Sequence, residues 1–493
     1  DVPHNCGAVT MLRSIKNRLK GHSAAPAPAP ATPSRPDATR TPKADTHLPR
    51  RQRRRSSIIR EEKVAALRDL PMLKDTSLSK REILFKQKLA LCSVIFNFDN
   101  PASNKRGKEL KRMTLLEIVD YVNSPGGQKI FTENVMPDVI AMVSTNLFRA
   151  LPPQTEDYDP EEDEPVLEPS WPHLQVVYEF LLRFVVSGEV KGKIAKRYLT
   201  QKFCLKLIDL FDSEDPRERD YLKTILHRVY GKFMSHRSFI RRTISNTFYR
   251  FVYETERHNG IGELLEILGS IINGFALPLK QEHVVFLRRA LIPLHRPKCM
   301  GLYHQQLSYC ITQYVEKDPE TAVAVCNGIF RYWPWSSTGK QVIMLNEMEE
   351  VLELVEAEQI AKVGHLLFSI LAKCVCCSHF QVAERALFLW NNEHLINHGC
   401  LSRAYNAQIL PLIYASLYEN SQGHWNMTVE QLAQNVLKHY MESDPATFEQ
   451  CAAAYEAEQE RGGVKVVDVR DRWKVIEDTS SGGGAGGAGA GSK

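Results

Sequence analysis

Helical periodicity that repeats over most of the chain constrains its fold more than any other feature. From about residue 78 to residue 460, apolar residues recur three and four positions apart, whereas the alternation typical of half-buried strands is nearly absent. In the segment Tyr221–Phe233, the apolar positions that share one helical face are Leu222, Ile225, Leu226, Val229 and Phe233. The sequence therefore predicts an all-α protein.

The length of the chain then favours a repeat architecture. Its 493 residues would ordinarily suggest about three domains, but repeat proteins grow by stacking and need no second core. Pro216–Leu222 and Gln381–Leu387 share a Glu-Arg pair and an apolar run after a polar turn. Repeats of about 40–47 residues would give roughly eight helix pairs. We therefore predict a HEAT-like α-α superhelix, which is a curved solenoid.

Two helix starts are predicted from capping residues. Asp215 is placed as an N-cap, with Pro216 at the first helical position and Glu218 completing a capping box. Ser378 and Gln381 have the same spacing before another apolar run. We expect a helix to begin at each of these two places.

The two ends of the chain differ in composition from the helical body. Residues 1–60 contain 13 Lys or Arg and 3 acids (+10), so the remaining 50 basic and 55 acidic residues sum to −5. The N-terminal segment is rich in proline, and the C-terminal segment consists largely of Gly, Ala and Ser. We predict disordered tails at residues 1–77 and 476–493, and a solenoid core at residues 78–475.

The basic run Arg50–Arg60 has several interpretations. It could direct the protein to the nucleus, or present Ser56 or Ser57 for phosphorylation, or be a solvated tail without a specific reader. Its proline-rich surroundings disfavour an organelle transit peptide. Scattered cysteines without a signal peptide indicate a reducing compartment, so we expect the cytoplasm and, through this run, the nucleus.

No motif in the chain supports catalysis, a metal or a cofactor. Uncharged runs such as Ile267–Leu279 are too short to span a bilayer, so we also expect no membrane span. The glycines of the C-terminal tail match a dinucleotide fingerprint, but they follow no predicted strand. The residues Cys374, Cys376, Cys377 and His379 lie too close in sequence for structural zinc, and core cysteines are favoured instead. The acidic segment Glu156–Glu164 is either a solvated loop or a surface for a basic partner.

The segment 221–250 is the best candidate for a binding site. It holds seven Lys or Arg and no acid, whereas the ten residues before it hold five acids. This separation of charge predicts a positive groove for an acidic ligand. Nucleic acid is an alternative ligand for this segment, since the aromatic residues Phe239, Phe248 and Tyr249 lie among the basic residues. Helical periodicity, however, assigns these aromatic residues to the core.

A helical wheel places the basic residues beside an apolar slot. His227, Tyr230, Met234 and Arg237 form one stripe, and Lys280 and His283 follow the helix that carries Ile267 and Ile271. Arg228 points away from the stripe unless Gly231 interrupts the helix. If adjacent repeats bring the two sets together, the slot suits a peptide with aliphatic anchors and a carboxylate.

Long motifs give the chain a family resemblance. They are FDSEDPRERD, LHRVYGKF (Leu226–Phe233), FYRFVYETERHNGI (Phe248–Ile261), ELLEILGSIINGFALPLK (Glu263–Lys280) and HFQVAERAL (His379–Leu387). Over about residues 78–475 the chain resembles the B-prime family of regulatory subunits of protein phosphatase 2A.

The resemblance implies a non-catalytic subunit that joins a scaffold subunit and a catalytic subunit in a heterotrimer. It also implies signal transduction through substrates that carry Leu-x-x-Ile-x-Glu motifs, with no role for nucleic acid. The groove residues that it implies are His227, Arg228, Tyr230, Arg237, Ile267, Ile271, Lys280 and His283. Tyr230 and the isoleucines would receive the aliphatic anchors, Lys280 and His283 the glutamate, and His227, Arg228 and Arg237 the acidic or phosphorylated flanks.

The resemblance places Arg228 in the groove, where the helical wheel does not, and we follow the resemblance. A karyopherin-like or nucleic-acid-binding α-solenoid is the alternative function. It would bind polyanions broadly and with strong salt dependence, rather than select the aliphatic positions of a peptide.

Overall fold

The computed structural model describes residues 69–100, 102–152 and 163–462. The basic run with Ser56 and Ser57, most of the acidic segment and the C-terminal glycines lie outside these residues. The α-helices of the first half are α1 (Leu78–Cys92), α2 (Lys105–Asn123), α3 (Met136–Leu147), α4 (Trp171–Val186), α5 (Gly192–Ala195), α6 (Gln201–Asp209), α7 (Pro216–Lys232), α8 (Arg237–Arg250), α9 (Ile261–Asn273) and α10 (Gln281–Phe286).

The second half continues in the same way. Its α-helices are α11 (His304–Lys317), α12 (Thr321–Arg331), α13 (Thr338–Leu352), α14 (Ala357–Val375), α15 (Phe380–Leu387), α16 (Glu393–Asn397), α17 (Asn406–Ser421), α18 (Met427–Ser443) and α19 (Pro445–Gly462). Two π-helices, Phe251–Thr255 and Leu287–Leu291, extend α8 and α10. Short 3-10 helices are Gly127–Ile130, Glu133–Val135, Leu210–Asp212, Met234–His236, Ile292–His295, Lys298–Leu302, Phe388–Asn391 and Arg403–Tyr405.

The long helices form two layers. In layer A each helix packs against the next one of the series α2, α4, α7, α9, α11, α13, α15 and α18. In layer B, α1 packs on α3, α6 on α8, and the series α12, α14, α17 and α19 continues the row. The described residues contain no strand, so the prediction of an all-α solenoid with about eight helix pairs is confirmed.

The apolar faces predicted from the sequence form the core between the layers. The five apolar residues of the α7 stripe, from Leu222 to Phe233, are each at most 2% exposed. Burying one such side chain stabilises the fold by about 1.5–3 kcal/mol. Packing also begins before residue 78, because Leu73 is buried and its amide donates to Glu117 Oε1 at 2.8 Å. None of the helices in the described part is long and apolar enough to cross a membrane.

Helices begin at both predicted places, but the predicted capping contacts are only partly correct. Asp215 does cap α7, where its carboxylate accepts from the Arg217 amide, but Glu218 does not close a capping box. The Glu218 side chain is instead fully buried against Arg149 and the Tyr178 hydroxyl, because these distant partners satisfy its charge better than one amide. Helix α15 begins at Phe380 with no side-chain cap, so the prediction of a cap in front of it is wrong.

The turns that lead from layer A to layer B lie along one edge of the solenoid. In the first five repeats they comprise residues 124–135, 187–200, 233–236, 274–280 and 318–320. Neighbouring turns are joined by hydrogen bonds: Ser187 Oγ to Gln128 Oε1 at 2.8 Å, Lys232 Nζ to the Ser187 carbonyl at 2.7 Å, and Lys317 Nζ to the Phe275 carbonyl at 3.4 Å. We call this side of the solenoid the turn edge.

The Asn259-Gly260 pair joins two helical segments and leads into α9. The Asn259 amide donates to Asp212 Oδ1 at 3.0 Å. A Cβ atom at Gly260 would collide with the main-chain oxygen of Phe211, so the close approach of these two segments requires glycine.

Candidate peptide-binding site

Helices α7 and α9 lie side by side in layer A and are joined by a ladder of polar contacts. The rungs are Arg219 to Glu263 at 2.7 Å, Lys223 to Glu266 at 2.7 Å, and His227 Nε2 to Ser270 Oγ at 3.0 Å. The two ion pairs occupy the first half of α7, where the acids of α9 neutralise its basic residues. The third contact joins two neutral groups, His227 and Ser270, so the C-terminal half of α7 has no acidic neighbour on α9.

His227 and Arg228 differ although they are adjacent. His227 is half-buried, and burial followed by the charge of Arg228 lowers its pKa, so its imidazole is neutral at pH 7. Arg228 is exposed, and within the described residues no ion pair or hydrogen bond engages its side chain. Helix α7 runs without interruption through Gly231 to Lys232, so the break that would turn Arg228 toward the stripe of His227 and Tyr230 is absent, and its place in the groove rests on the family resemblance.

Two arginines of α8 contact the side chain of Tyr230. The Arg237 guanidinium lies over the Tyr230 ring, 5.2 Å from its centroid, and donates to the carbonyls of Tyr230 at 3.0 Å and Gly231 at 3.1 Å. These bonds satisfy free carbonyls at the C-terminus of α7, where a positive charge is favourable. Arg241 Nη1 donates to the Tyr230 hydroxyl at 3.0 Å. Two cations therefore fix the tyrosine from one side.

Arg241 also connects Tyr230 with the second set of predicted residues. Its Nη2 donates to Glu282 Oε1 at 2.8 Å, and that oxygen lies 3.4 Å from His283 Nε2. The sequence analysis did not single out Arg241 or Glu282. The position of Arg241 one helical turn after Arg237 is a signal that could have found it.

His283 lies beneath the surface rather than on it. Its ring stacks on Phe275 at 3.7 Å between centroids, and the residue is 7% exposed. Burial first, and then the charge of Arg241, lowers its pKa, so it too is neutral at pH 7. Lys280, three residues earlier in the turn, is exposed, and no ion pair or hydrogen bond engages its side chain in the described part of the chain.

The two isoleucines of α9 are buried, and we call them the floor of the site. Ile267 is 2% exposed and Ile271 is 6% exposed, so a ligand could bury little further area on them. The exposed apolar side chains at this place lie in the turns, where Met234 is 73% and Leu277 is 62% exposed. Apolar contacts of a ligand would therefore come mainly from half-buried Tyr230 and from these turn residues. We call Tyr230, this floor and the surrounding basic residues the candidate groove.

The basic residues of the segment 221–250 make different kinds of contact. Lys223 pairs with Asp220 and Glu266, and Lys232 donates to the carbonyls of Val185 and Ser187. Arg237 and Arg241 contact Tyr230, whereas no ion pair or hydrogen bond engages Arg228 in the described residues.

In the described residues no group of three His, Cys, Asp or Glu side chains could hold a metal ion. Of the cysteines near the end of α14, Cys374 is buried and Cys376 is exposed.

Comparisons with known proteins identify relatives over most of the chain. A family model described as "Protein phosphatase 2A regulatory B subunit (B56 family)" matches residues 70–480. The B' beta isoform of the 57 kDa regulatory subunit of serine/threonine protein phosphatase 2A from Arabidopsis thaliana is 52% identical over 424 residues, which cover 85% of this chain and 84% of the relative. The delta isoform of the 56 kDa regulatory subunit from Homo sapiens is 49% identical over 432 residues, which cover 87% and 71%.

Proposed function

Because this chain belongs to the B56 family of protein phosphatase 2A regulatory B subunits, we propose that its candidate groove recruits substrates to the phosphatase. The chain is a regulatory, non-catalytic subunit. In the proposed heterotrimer, a scaffold subunit and a catalytic subunit complete the enzyme. The groove would hold substrates near the active site of the catalytic subunit and so raise their effective concentration there.

One observation carries the proposal. Arg228 and Lys280 are exposed cations that no ion pair or hydrogen bond engages in the described residues. Arg228 lies on α7 two residues before Tyr230, and Lys280 lies in the turn just before α10, whose Glu282 is joined to Tyr230 through Arg241. Unpaired cations beside a fixed tyrosine suit a peptide that carries both aliphatic and acidic side chains. Leu-x-x-Ile-x-Glu has this composition. The glutamate would pair with Lys280, and an acidic or phosphorylated flank would lie near Arg228.

The geometry refines the role of the other groove residues. Neutral His227 and His283 would act by hydrogen bonding, since burial disfavours their charged forms. Ile267 and Ile271 would support the leucine and isoleucine of the motif from below, while Tyr230, Met234 and Leu277 provide contact area.

Titration of a Leu-x-x-Ile-x-Glu peptide into the purified chain tests the proposal. We expect Arg228→Glu and Lys280→Ala each to weaken binding, and Arg106→Glu on α2 to leave it unchanged, since Arg106 is equally exposed and outside the groove. Each exposed pair contributes about 0.2–1 kcal/mol, and the reversal of charge at Arg228 adds repulsion. Equal affinity of the unchanged chain, Arg228→Glu and Lys280→Ala would refute the assigned groove.

Family membership supports a phosphatase regulatory subunit over the alternative, a karyopherin-like or nucleic-acid-binding solenoid. We further propose that the protein acts in the cytoplasm and, through the basic run Arg50–Arg60, in the nucleus. A fluorescent fusion with and without this run tests the second location, and an unchanged distribution would contradict it.

A further inference from the structure

A second basic segment, separate from the groove residues, lies in the preceding repeat. The sixteen residues Lys191–Lys206, KGKIAKRYLTQKFCLK, contain six Lys or Arg and no acid. All six basic side chains are exposed, four of them in the turn between α4 and α6 and two on α6. We call Lys191–Lys206 the lysine segment.

Most of these charges have no counter-charge among the residues that the structure describes. Arg197 forms an ion pair with Glu133 at 3.1 Å, and Lys206 Nζ lies 5.3 Å from the ring centroid of Phe148. In the described residues no ion pair or hydrogen bond engages the side chains of Lys191, Lys193 and Lys196. Like charges gathered on one surface repel one another, and an anionic ligand relieves that repulsion.

The lysine segment is continuous with the candidate groove. Lys232 at the end of α7 donates to the carbonyls of Val185 at 2.8 Å and Ser187 at 2.7 Å, just before the segment begins. His236 Nε2 lies 2.8 Å from the Leu199 carbonyl, so the turn that leads to Arg237 packs on the segment itself. The two positive surfaces therefore meet at the end of α7.

The charge of the turns changes along the turn edge. Along the turn edge, the lysine segment comes one repeat before the turn at residues 233–236 and two repeats before the turn that carries Lys280. On the other side, the next turn carries Asp318 and Glu320. Positive charge thus extends from the groove by one repeat toward the N-terminus, as far as the lysine segment, whereas the next turn toward the C-terminus carries two acids.

We propose that the lysine segment is a second anion-binding subsite that receives an acidic or phosphorylated flank of the peptide bound in the groove. This inference rests on the proposed function of the groove. Neighbouring packed helices lie about 8–10 Å apart, and an extended peptide advances about 3.3 Å per residue. A flank would therefore reach the lysine segment within about three to eight residues of the motif.

A peptide is favoured over a membrane or nucleic acid because the lysine segment adjoins the groove rather than standing alone. Carboxylate and phosphate share the chemistry that exposed lysines recognise, so the ligand is defined as an anionic flank. Its selectivity would depend on the number of charges more than on their exact positions, since a flexible ammonium group fixes no bidentate geometry.

Peptide titrations with a variant of three lysines test the inference. Leu-x-x-Ile-x-Glu peptides would carry a neutral flank, a six-residue Asp/Glu flank or a phosphoserine flank, on either side of the motif. We expect an anionic flank on one side to tighten binding by about tenfold at low salt, and this gain to shrink as ionic strength rises. The variant Lys191→Ala, Lys193→Ala, Lys196→Ala should lose the gain but bind the neutral-flank peptide as the unchanged chain does.

The matched control replaces three exposed lysines of the first repeats, Lys74, Lys80 and Lys105, by alanine and should retain the gain. Comparison of the Asp/Glu and phosphoserine flanks shows which anion is preferred. If the triple variant keeps the full gain, or if no flank gives a gain while the neutral peptide still binds, the inference is wrong and the groove stands. If no peptide binds the unchanged chain, the proposed function itself fails. If the triple variant instead loses binding only to RNA or to anionic vesicles, the inference is overturned and the segment serves another partner.

Discussion

Arg241 links the two sides of the candidate groove, and its removal should weaken peptide binding although no predicted ligand contact involves it. Its guanidinium holds the Tyr230 hydroxyl at 3.0 Å and Glu282 Oε1 at 2.8 Å. In Arg241→Ala, Tyr230 loses a partner that fixes its ring. Glu282 becomes a free carboxylate close to His283, at the place where the peptide's glutamate is expected.

The loss of peptide-binding free energy in Arg241→Ala is estimated from the two contacts that the variant removes. A hydrogen bond such as that to Tyr230 contributes about 0.5–1.5 kcal/mol. The ion pair is half exposed, with side-chain exposures of 21% and 55%, and such pairs contribute about 0.2–1 kcal/mol. Together they predict a loss of about 1–2 kcal/mol in binding, which is roughly a 5- to 30-fold weaker affinity.

Isothermal titration with one Leu-x-x-Ile-x-Glu peptide would measure this effect. The double variant Arg241→Ala, Glu282→Ala is the informative control, because it removes the freed carboxylate and should recover part of the affinity. Arg241→Lys keeps the charge but cannot bridge both partners in the same geometry, so it should fall between the unchanged chain and Arg241→Ala. Circular dichroism should show unchanged helix content.

Unchanged peptide affinity in Arg241→Ala would refute the reasoning that Tyr230 needs to be held in place. A double variant that binds no better than Arg241→Ala would show that the freed carboxylate does not oppose the ligand. Either result would leave the fold and the family unaffected.

Two further predictions concern stability. Glu218→Gln should destabilise the protein by about 1–3 kcal/mol, because Arg149 loses its fully buried counter-charge and keeps only the partly exposed Glu168. Urea unfolding followed by circular dichroism would show a lower midpoint or an early partial transition. A dependence on pH should arise at His295, which is fully buried with Nδ1 at 2.7 Å from the Ile292 carbonyl and Nε2 at 2.9 Å from Glu347. Burial alone would lower the pKa of His295, but the Glu347 carboxylate outweighs burial and raises it. The ion pair between His295 and Glu347 therefore stabilises the fold fully below about pH 6.5, and this stabilisation is lost as pH rises through the folded-state pKa of His295. Burial opposes ionisation of Glu347 as well, yet its histidine partners lower its pKa to about 2. The contribution of Glu347 to the free energy of unfolding is therefore lost as pH falls from about 4.5 toward 2. Thermal unfolding from pH 3 to pH 9 would measure both pH dependences, and Glu347→Gln should flatten them.

The fold could be predicted because the signal for it is local. The spacing of Leu222, Ile225 and Leu226 along one helical turn decides which face is buried, and the same spacing recurs from repeat to repeat. Neighbouring repeats then need only pack their apolar faces together, which is why the two layers agree with the prediction. The predicted capping box at Glu218 failed because a partner 69 residues away competes with the local amide, and local spacing carries no information about such a partner.

For the candidate groove, the sequence determined the positions of its residues on facing helices and the excess of positive charge. Only the tertiary structure decided which charges are free. Lys223 and Arg241 find acids on the neighbouring helical segments, Arg228 and Lys280 find none in the described residues, and the two isoleucines lie too deep to form open pockets. The physical reason is that helical period is set by backbone geometry within one turn, whereas the pairing of a charge depends on groups more than forty residues away that packing brings within hydrogen-bond distance.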